Sequence, residues 1–324
     1  MLFVQHPEEF SRTLPGFLPA DLRPVDSRAG VSSADSFPRY LHEALFRTGD
    51  PPMMTTDQPG CDPSDFWTSW YLTTEASVSQ YDTLRQVIGD RQDLPGHVVC
   101  LALSGQGFHG QQGRTWEALR GNLHLSVALR CDLVAADAGL ALTMLPAVAV
   151  VDALSTLDDL GPSLPGLGIK WVNDILVDGR KIGGVLTSAR SQDGRIGSCV
   201  LGIGLNVGSA PAVRPTPFTP AVTCLNEHIT MPGKGLMAVL GPVLKAVAMR
   251  FQELAYQGPG PILAAYRSAS LVLGRQVEIR PEDHSTEPRR RGRVQAIGPD
   301  LSLTLTDDPQ PVTTGRLVLL PEAV

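Results

Sequence analysis

The chain has 324 residues, 43% of them hydrophobic, enough apolar material for a sizeable core and for two domains plus an extension. A formal net charge of −6 argues against a general nucleic-acid binder and leaves room only for a local basic patch. Cys61, Cys100, Cys131, Cys199 and Cys224 are odd in number and show no CxxC spacing, so reduced, mostly buried thiols are expected rather than a structural zinc site.

In chain order, the opening MLFVQHPEEFSRTLP meets Pro7, Glu8 and Glu9 too early for a secretory signal, and the acidic pair weakens a transit-peptide reading. A cytoplasmic protein is expected, with organelle targeting left open. No run of about 18 apolar residues occurs, so no membrane span is expected. Residues 1–65 are rich in Pro, Ser, Asp and Gly, and only SFPRYLHEALF has helical character; the segment reads as a loosely packed extension or a partner-binding arm. EASVSQYDTLRQVIGD, from Glu75, carries apolar residues at helical spacing, and VVCLAL at 98–103 reads as a buried strand. HLSVALRCDL continues in strand after a Gly121-Asn122 turn, and residues 136–158 form a long apolar helix that Pro146 kinks or splits.

Between Gly168 and Val207 the sequence GIKWVNDILVDGRKIGGVLTSARSQDGRIGSCVLGIGLNV has short apolar runs broken by Asp-Gly and Gly-Arg turns, a hairpin followed by a third strand. Adjacent strands would bring its three polar clusters to one end of a sheet. Lys170 and Lys181 can neutralise a carboxylate that meets a triphosphate, two anions that otherwise repel. Asp174 can hold Mg²⁺, which keeps most of its water and takes one or two carboxylates plus phosphate oxygens. Gly183, Gly184, Gly202 and Gly204 would let backbone approach a ligand, and Asn206 has the paired donor and acceptor that suit an adenine edge. A second helical block covers roughly 233 to 257 and a short helix follows; LGRQVEIR, RGRVQAIGPD, LSLTLT and GRLVLL then alternate as a small β-barrel.

KWVND, DGRKIGG and GIGLNV resemble the signature of the biotin protein ligases, whose motifs read Lys-Trp-Pro-Asn-Asp, Arg-Lys-x-x-Gly and Gly-x-Gly-x-Asn, with Val172 in the usual proline place. The resemblance continues upstream through SGQGFHGQQGRTWEALRGNLHLSVALR, residues 104–130, and down to the small C-terminal domain. It implies an α+β fold with a mixed sheet packed against helices, like a class II synthetase catalytic domain, followed by an SH3-like barrel. The implied division is an extension at 1–65, a biotin- and ATP-binding catalytic domain at 66–268 and the barrel at 269–324.

The resemblance also implies an activity. Biotin is activated with ATP and Mg²⁺ as biotinyl-5′-AMP and passed to a lysine of a biotin carboxyl carrier domain of a biotin-dependent carboxylase. No helix-turn-helix pattern accompanies the motifs, so neither a DNA-binding domain nor a repressor role is expected. By the resemblance Lys181, Lys170 and Arg114 are the catalytic cations; Ser77, Ser79, Gln106, His109, Gly110, Gln111 and Gly184 line the biotin side; Arg114, Trp116, Asn173 and Asn206 face the nucleotide; and Asp174 takes Mg²⁺. One segment departs from the family. Of the Gly-Arg-Gly-Arg-x-Gly-Arg loop, Gly113 and Arg114 match the end, Phe108 replaces the first glycine, and His109 and Gln111 fill the first two arginine places. The second of these contacts the acyl-adenylate phosphate in the family, and a neutral glutamine forms a weaker bond there than a cation. Two alternatives stay open: a biotin or nucleotide sensor without turnover, and a ligase for lipoate or another acid. The lipoate ligases' Arg-Arg-x-x-Gly-Gly-Gly motif is missing.

Overall fold

The computed structural model describes residues 1–20, 22–24, 41, 44–46, 53–55, 65–90, 94–157, 164–216, 218, 221–230, 235–281, 290–306 and 308–321. The chain runs through β1 (Leu2–Val4), α1 (Pro7–Thr13), β2 (Arg23–Pro24), β3 (Met53–Thr55), β4 (Trp67–Thr73), α2 (Gln80–Asp90), β5 (His97–Ala102), β6 (Leu123–Val134) and α3 (Ala135–Ser155). It continues through β7 (Gly168–Lys170), β8 (Asp174–Val177), β9 (Arg180–Gln192), β10 (Arg195–Leu205), α4 (Gly235–Gln257) and α5 (Gly260–Ser268). Five strands close the chain: β11 (Gln276–Arg280), β12 (Arg290–Ile297), β13 (Leu303–Leu305), β14 (Asp308–Val312) and β15 (Arg316–Leu319).

The first ten strands form one mixed sheet in the order β2-β3-β1-β4-β5-β6-β10-β9-β8-β7, in which β1–β4 and β4–β5 are parallel and the other pairs antiparallel. Strand residues alternate between the two faces. On one face Val99, Leu101, Val127, Leu129, Cys199 and Leu201 join the main core beneath α3, α4 and α5. On the other, Val98, Cys100, Ala128 and Val200 meet Tyr81, Leu84, Val87 and Ile88 of α2. Both α3 and α4 are long and apolar enough to cross a bilayer by length and composition. Yet 72% and 50% of their most apolar windows are buried inside the protein, where the helices pack on each other and on the sheet. Pro146 lies within α3 without splitting it.

Two expectations change. Residues 1–65 do not begin as a loose extension: Leu2, Phe3 and Val4 are buried and pair with β4 and β3. Three consecutive apolar residues fill both faces at once, Leu2 and Val4 in the main core and Phe3 stacked on Tyr71 at 5.1 Å. Most of SFPRYLHEALF lies outside the described residues. The helix expected from Glu75 starts at Gln80, because the Ala76 N–H donates to the Ser104 carbonyl and the Ala76 carbonyl accepts from Gln106 N–H, which holds residues 75–79 as a bend. The C-terminal strands form a separate five-stranded antiparallel sheet in the order β14-β13-β12-β11-β15, consistent with the SH3-like domain expected there. The Trp171 indole donates to the Leu301 carbonyl at 2.8 Å and ties this sheet to the Lys-Trp-Val-Asn-Asp turn. Cys100, Cys131, Cys199 and Cys224 are free and buried, as expected; Cys61 lies outside the described residues.

Burial holds His97 and His124 at a pKa of about 4, well below the ordinary histidine value. An unfolded chain therefore binds more protons than the folded one between about pH 6.5 and pH 4, and stability falls as pH falls through that window. His124→Gln should flatten the acid side of a plot of unfolding midpoint against pH; an unchanged slope would assign it to other groups.

Candidate active site

On the face of the sheet opposite the main core, α2 covers only part of the strands, and a cavity of about 350 Å³ opens beside it. One cross-strand row fixes its floor: Asp174 pairs with Gly184, Gly184 with Gly204, and Gly204 with His124. Residues directly opposite one another in antiparallel strands share a face, so this row presents one carboxylate, two glycines and one imidazole to the same space.

Glycine is needed at Gly204 for a definite reason. A Cβ there would lie 2.7 Å from the Trp116 indole, which packs closely against the strand at this point. The Trp116 Nε1–H donates to His124 Nδ1 at 3.4 Å, while His124 Nε2 faces the Leu119 carbonyl at 2.9 Å. One nitrogen accepts and the other donates, which a neutral ring does.

Lys181 reaches the row through an irregularity. Lys181 and Gly184 are three residues apart and would face opposite ways in a regular strand. The β8–β9 register shifts between Ile175/Gly183 and Leu176/Lys181, which leaves Ile182 as an extra residue. That bulge turns Lys181 onto the face of Gly184, where Nζ donates to Asp174 Oδ1 at 2.5 Å. The strand start is also held by a short ladder, Lys181 N–H to the Ala221 carbonyl and Thr223 N–H to the Lys181 carbonyl.

Lys170 is 5% exposed, and its Nζ donates to the Phe218 carbonyl at 2.6 Å. Burial lowers its pKa, Lys181 and Arg114 add to this, and Asp174 opposes them. It opens on an adjoining cavity of about 200 Å³ whose walls share Gln111, Arg114, Asn173 and Asp174 with the first. The second cavity is completed by Thr313–Leu317 of the C-terminal sheet, a contribution that sequence reasoning missed. Asn173 Nδ2 donates to the Val185 carbonyl at 2.6 Å and so braces the turn at the mouth of β8.

The glycine-rich segment forms a small hairpin over the cavity, with Gly110 N–H donating to the Arg114 carbonyl and Trp116 N–H to the Phe108 carbonyl. His109, Gly110, Gln111 and Arg114 line the cavity from this loop, and Arg114 Nε donates to the Gln111 carbonyl. His109 Nε2 lies 2.7 Å from Asp82 of α2, another residue that the sequence did not single out, since 27 positions separate the pair.

Other expected residues sit differently. Ser77 and Gln106 are exposed and do not line the cavity, because the Ala76 to Ser104/Gln106 pairing holds them at the outer rim. Ser79 lines the cavity and caps α2, with Asp82 N–H near its hydroxyl at 3.4 Å. Asn206 is fully buried; its amide donates to the Thr223 carbonyl and accepts from Asn122 at 3.4 Å, so both ends already hold the protein together rather than wait for an adenine. Asn122, seen in the sequence only as a turn residue, accepts the N–H groups of Val207, Gly208 and Ser209 and fixes the turn after β10. Among the described residues no group of three or more His, Cys, Asp or Glu could hold a metal ion by itself.

This fold is that of solved biotin protein ligases: the Aquifex aeolicus biotin protein ligase in complex with biotin and ATP superposes with a TM-score of 0.57 at 18% identity, over 78% of this chain and 98% of that one. A family model described as the biotin/lipoate A/B protein ligase family matches residues 85–206. A biotin--[acetyl-CoA-carboxylase] ligase of Paracoccus denitrificans is 31% identical over 192 residues, which cover 58% of this chain and 76% of the relative. The chain belongs to the biotin protein ligase family. A bifunctional ligase/repressor BirA of Bacillus subtilis is 30% identical over 193 residues, and the chain spans 56% of its length.

Proposed function

We propose that this protein activates biotin with ATP as biotinyl-5′-AMP and transfers it to a lysine of a biotin carboxyl carrier domain. The observation that carries the reading is the cavity floor of Asp174, Gly184 and Gly204 with Lys181 turned onto it and Lys170 in the adjoining cavity, which shares Asn173 and Asp174 with the first. Such a site can accept two anions and bring them together. Residues 66–268 would then be the catalytic domain and 269–324 an accessory domain whose Thr313–Leu317 edge reaches the nucleotide end.

In the first step the biotin carboxylate attacks the α-phosphorus of ATP and pyrophosphate leaves. Lys181 bridges the carboxylate and the α-phosphate, and Lys170 and Arg114 stabilise charge that builds on the phosphorus oxygens. Biotin lies against Ser79, His109, Gly110, Gln111 and Gly184, and the nucleotide against Trp116, Asn173 and Arg114. Asn206 shapes that end without reading the base. In the second step the neutral amine of the carrier lysine attacks the acyl carbon of the mixed anhydride and AMP departs with the bonding electron pair.

Asp174 fits a Mg²⁺ that takes a single protein carboxylate: Lys181 engages Oδ1, and phosphate oxygens and water would complete the shell. When bound, the ion would neutralise triphosphate charge beside the lysines.

Biotin-dependent exchange of pyrophosphate into ATP, followed by labelling of an added carrier domain, tests the reading. Tight biotin binding with no exchange would replace it with a sensor, and exchange that depends on lipoate in place of biotin would change the acid. Gln111→Arg should restore a cation at the phosphate and slow adenylate release by about five-fold. An unchanged release rate would show that another residue already supplies that grip.

A further inference from the structure

The His109 ring sits between two acceptors. Its Nε2 is 2.7 Å from Asp82 Oδ2 and its Nδ1 is 3.0 Å from the Gly110 carbonyl oxygen. A neutral imidazole has one N–H and must turn a lone pair toward one of these oxygens; a doubly protonated ring donates to both. His124, on the floor of the same cavity, is the contrast, since one of its nitrogens faces a donor and the other an acceptor. The two rings are thus set for opposite charge states by what surrounds them.

We propose that Asp82 is a positioning residue and that it and His109 form a proton-dependent latch, which fastens the 108–116 loop to α2 while His109 is charged and frees it when the proton leaves. The proposal rests on the ligase reading for what the loop retains, although the latch itself stands on the ligand-free geometry. Because the hairpin is closed by the Gly110 to Arg114 and Trp116 to Phe108 hydrogen bonds, whatever holds His109 also holds Gln111 and Arg114 over the cavity.

From α2, Arg85 donates to the other oxygen of Asp82 at 3.4 Å and opposes the His109 charge, and Tyr81 lies edge-on at 6.3 Å. From the loop come Arg114 and Glu117, and from the sheet side Lys181, Asp174 and neutral His124 line the same cavity. The net effect raises the His109 pKa, with the Gly110 carbonyl as the largest cause, burial opposing it and Asp82 adding to it. A histidine pKa raised on folding means that the latch is complete below the ordinary value of about 6.5 and is lost as pH rises through the folded value.

Two measurements on the full chain test this. In the ligand-free protein, the ring resonance that vanishes in His109→Asn should titrate above the ordinary histidine value, fall in Asp82→Asn, and recover in Asp82→Glu. In the loaded protein, release of pre-formed biotinyl-adenylate should be about three- to ten-fold faster at about pH 9 than at about pH 6. Asp82→Asn should release quickly at both, and His109→Arg, whose charge is fixed, should lose the dependence. Titration of His109 at or below the ordinary value, or unmoved by Asp82→Asn, overturns the latch; parallel release profiles for wild type and Asp82→Asn overturn its role in retention. If no adenylate forms at all, the ligase reading fails while the ring titration still decides the latch.

Discussion

Lys181→Ala is expected to lower biotin-dependent ATP/pyrophosphate exchange by about a hundred- to a thousand-fold, the range seen when a charge-stabilising donor is removed from a transition state. The side chain is the one cation that the bulge at Ile182 aims across the cavity floor, and it sits 2.5 Å from the carboxylate of Asp174. Its loss leaves Asp174 without its ion-pair partner. Both side chains are about one-fifth exposed, so water takes over part of the lysine's role and the stability cost should stay near 1 kcal/mol. A folded variant with normal melting behaviour and normal exchange would remove Lys181 from the chemistry.

Gly204→Ala is the second large effect. The new methyl would stand 2.7 Å from Cε2 and Cζ2 of Trp116, closer than carbon atoms approach, and the rigid indole must lift from the strand. Lifting it breaks the Nε1 to His124 hydrogen bond and leaves a buried nitrogen without a donor, about 1 to 3 kcal/mol of destabilisation. It also moves one wall of the cavity, so adenylate affinity should drop by about ten-fold or more. Thermal unfolding and titration with biotinyl-adenylate check the two halves separately. Wild-type affinity in this variant would mean that Trp116 only packs and does not shape the ligand space.

Much of the site was legible because its chemistry is local in sequence. Lys170 to Asp174, Arg180 to Gly184 and Gly202 to Asn206 each fall at a strand end, and short antiparallel connections leave such strands little choice but to pair. The main helices and the C-terminal strands were legible from periodicity for the same reason. What escaped depends on register or on distance along the chain. Ile182 reads as an ordinary strand residue, and nothing in its neighbourhood marks it as the extra one. Leu2–Val4 are too few to announce a strand, and only β4 and β3, some fifty residues or more further on, make them one. Ser77 and Gln106 matched the family by position, yet one pair of backbone hydrogen bonds at Ala76 turns them to the rim. Asn206 had the right functional groups for a base, but Asn122 and Thr223 claim them first.

The bulge at Ile182 also bears on how this site tolerates change. The direction of Lys181 is set by the extra residue: three positions from Gly184, the lysine faces the cavity only because Ile182 stands outside the pairing, and with Ile182 absorbed into a regular ladder it would point toward the core. Deleting Ile182 would shorten that spacing to two, which in a regular strand keeps the lysine on the cavity side, so the loss of a single codon there would be felt first in the core that Ile182 fills and only second in the site.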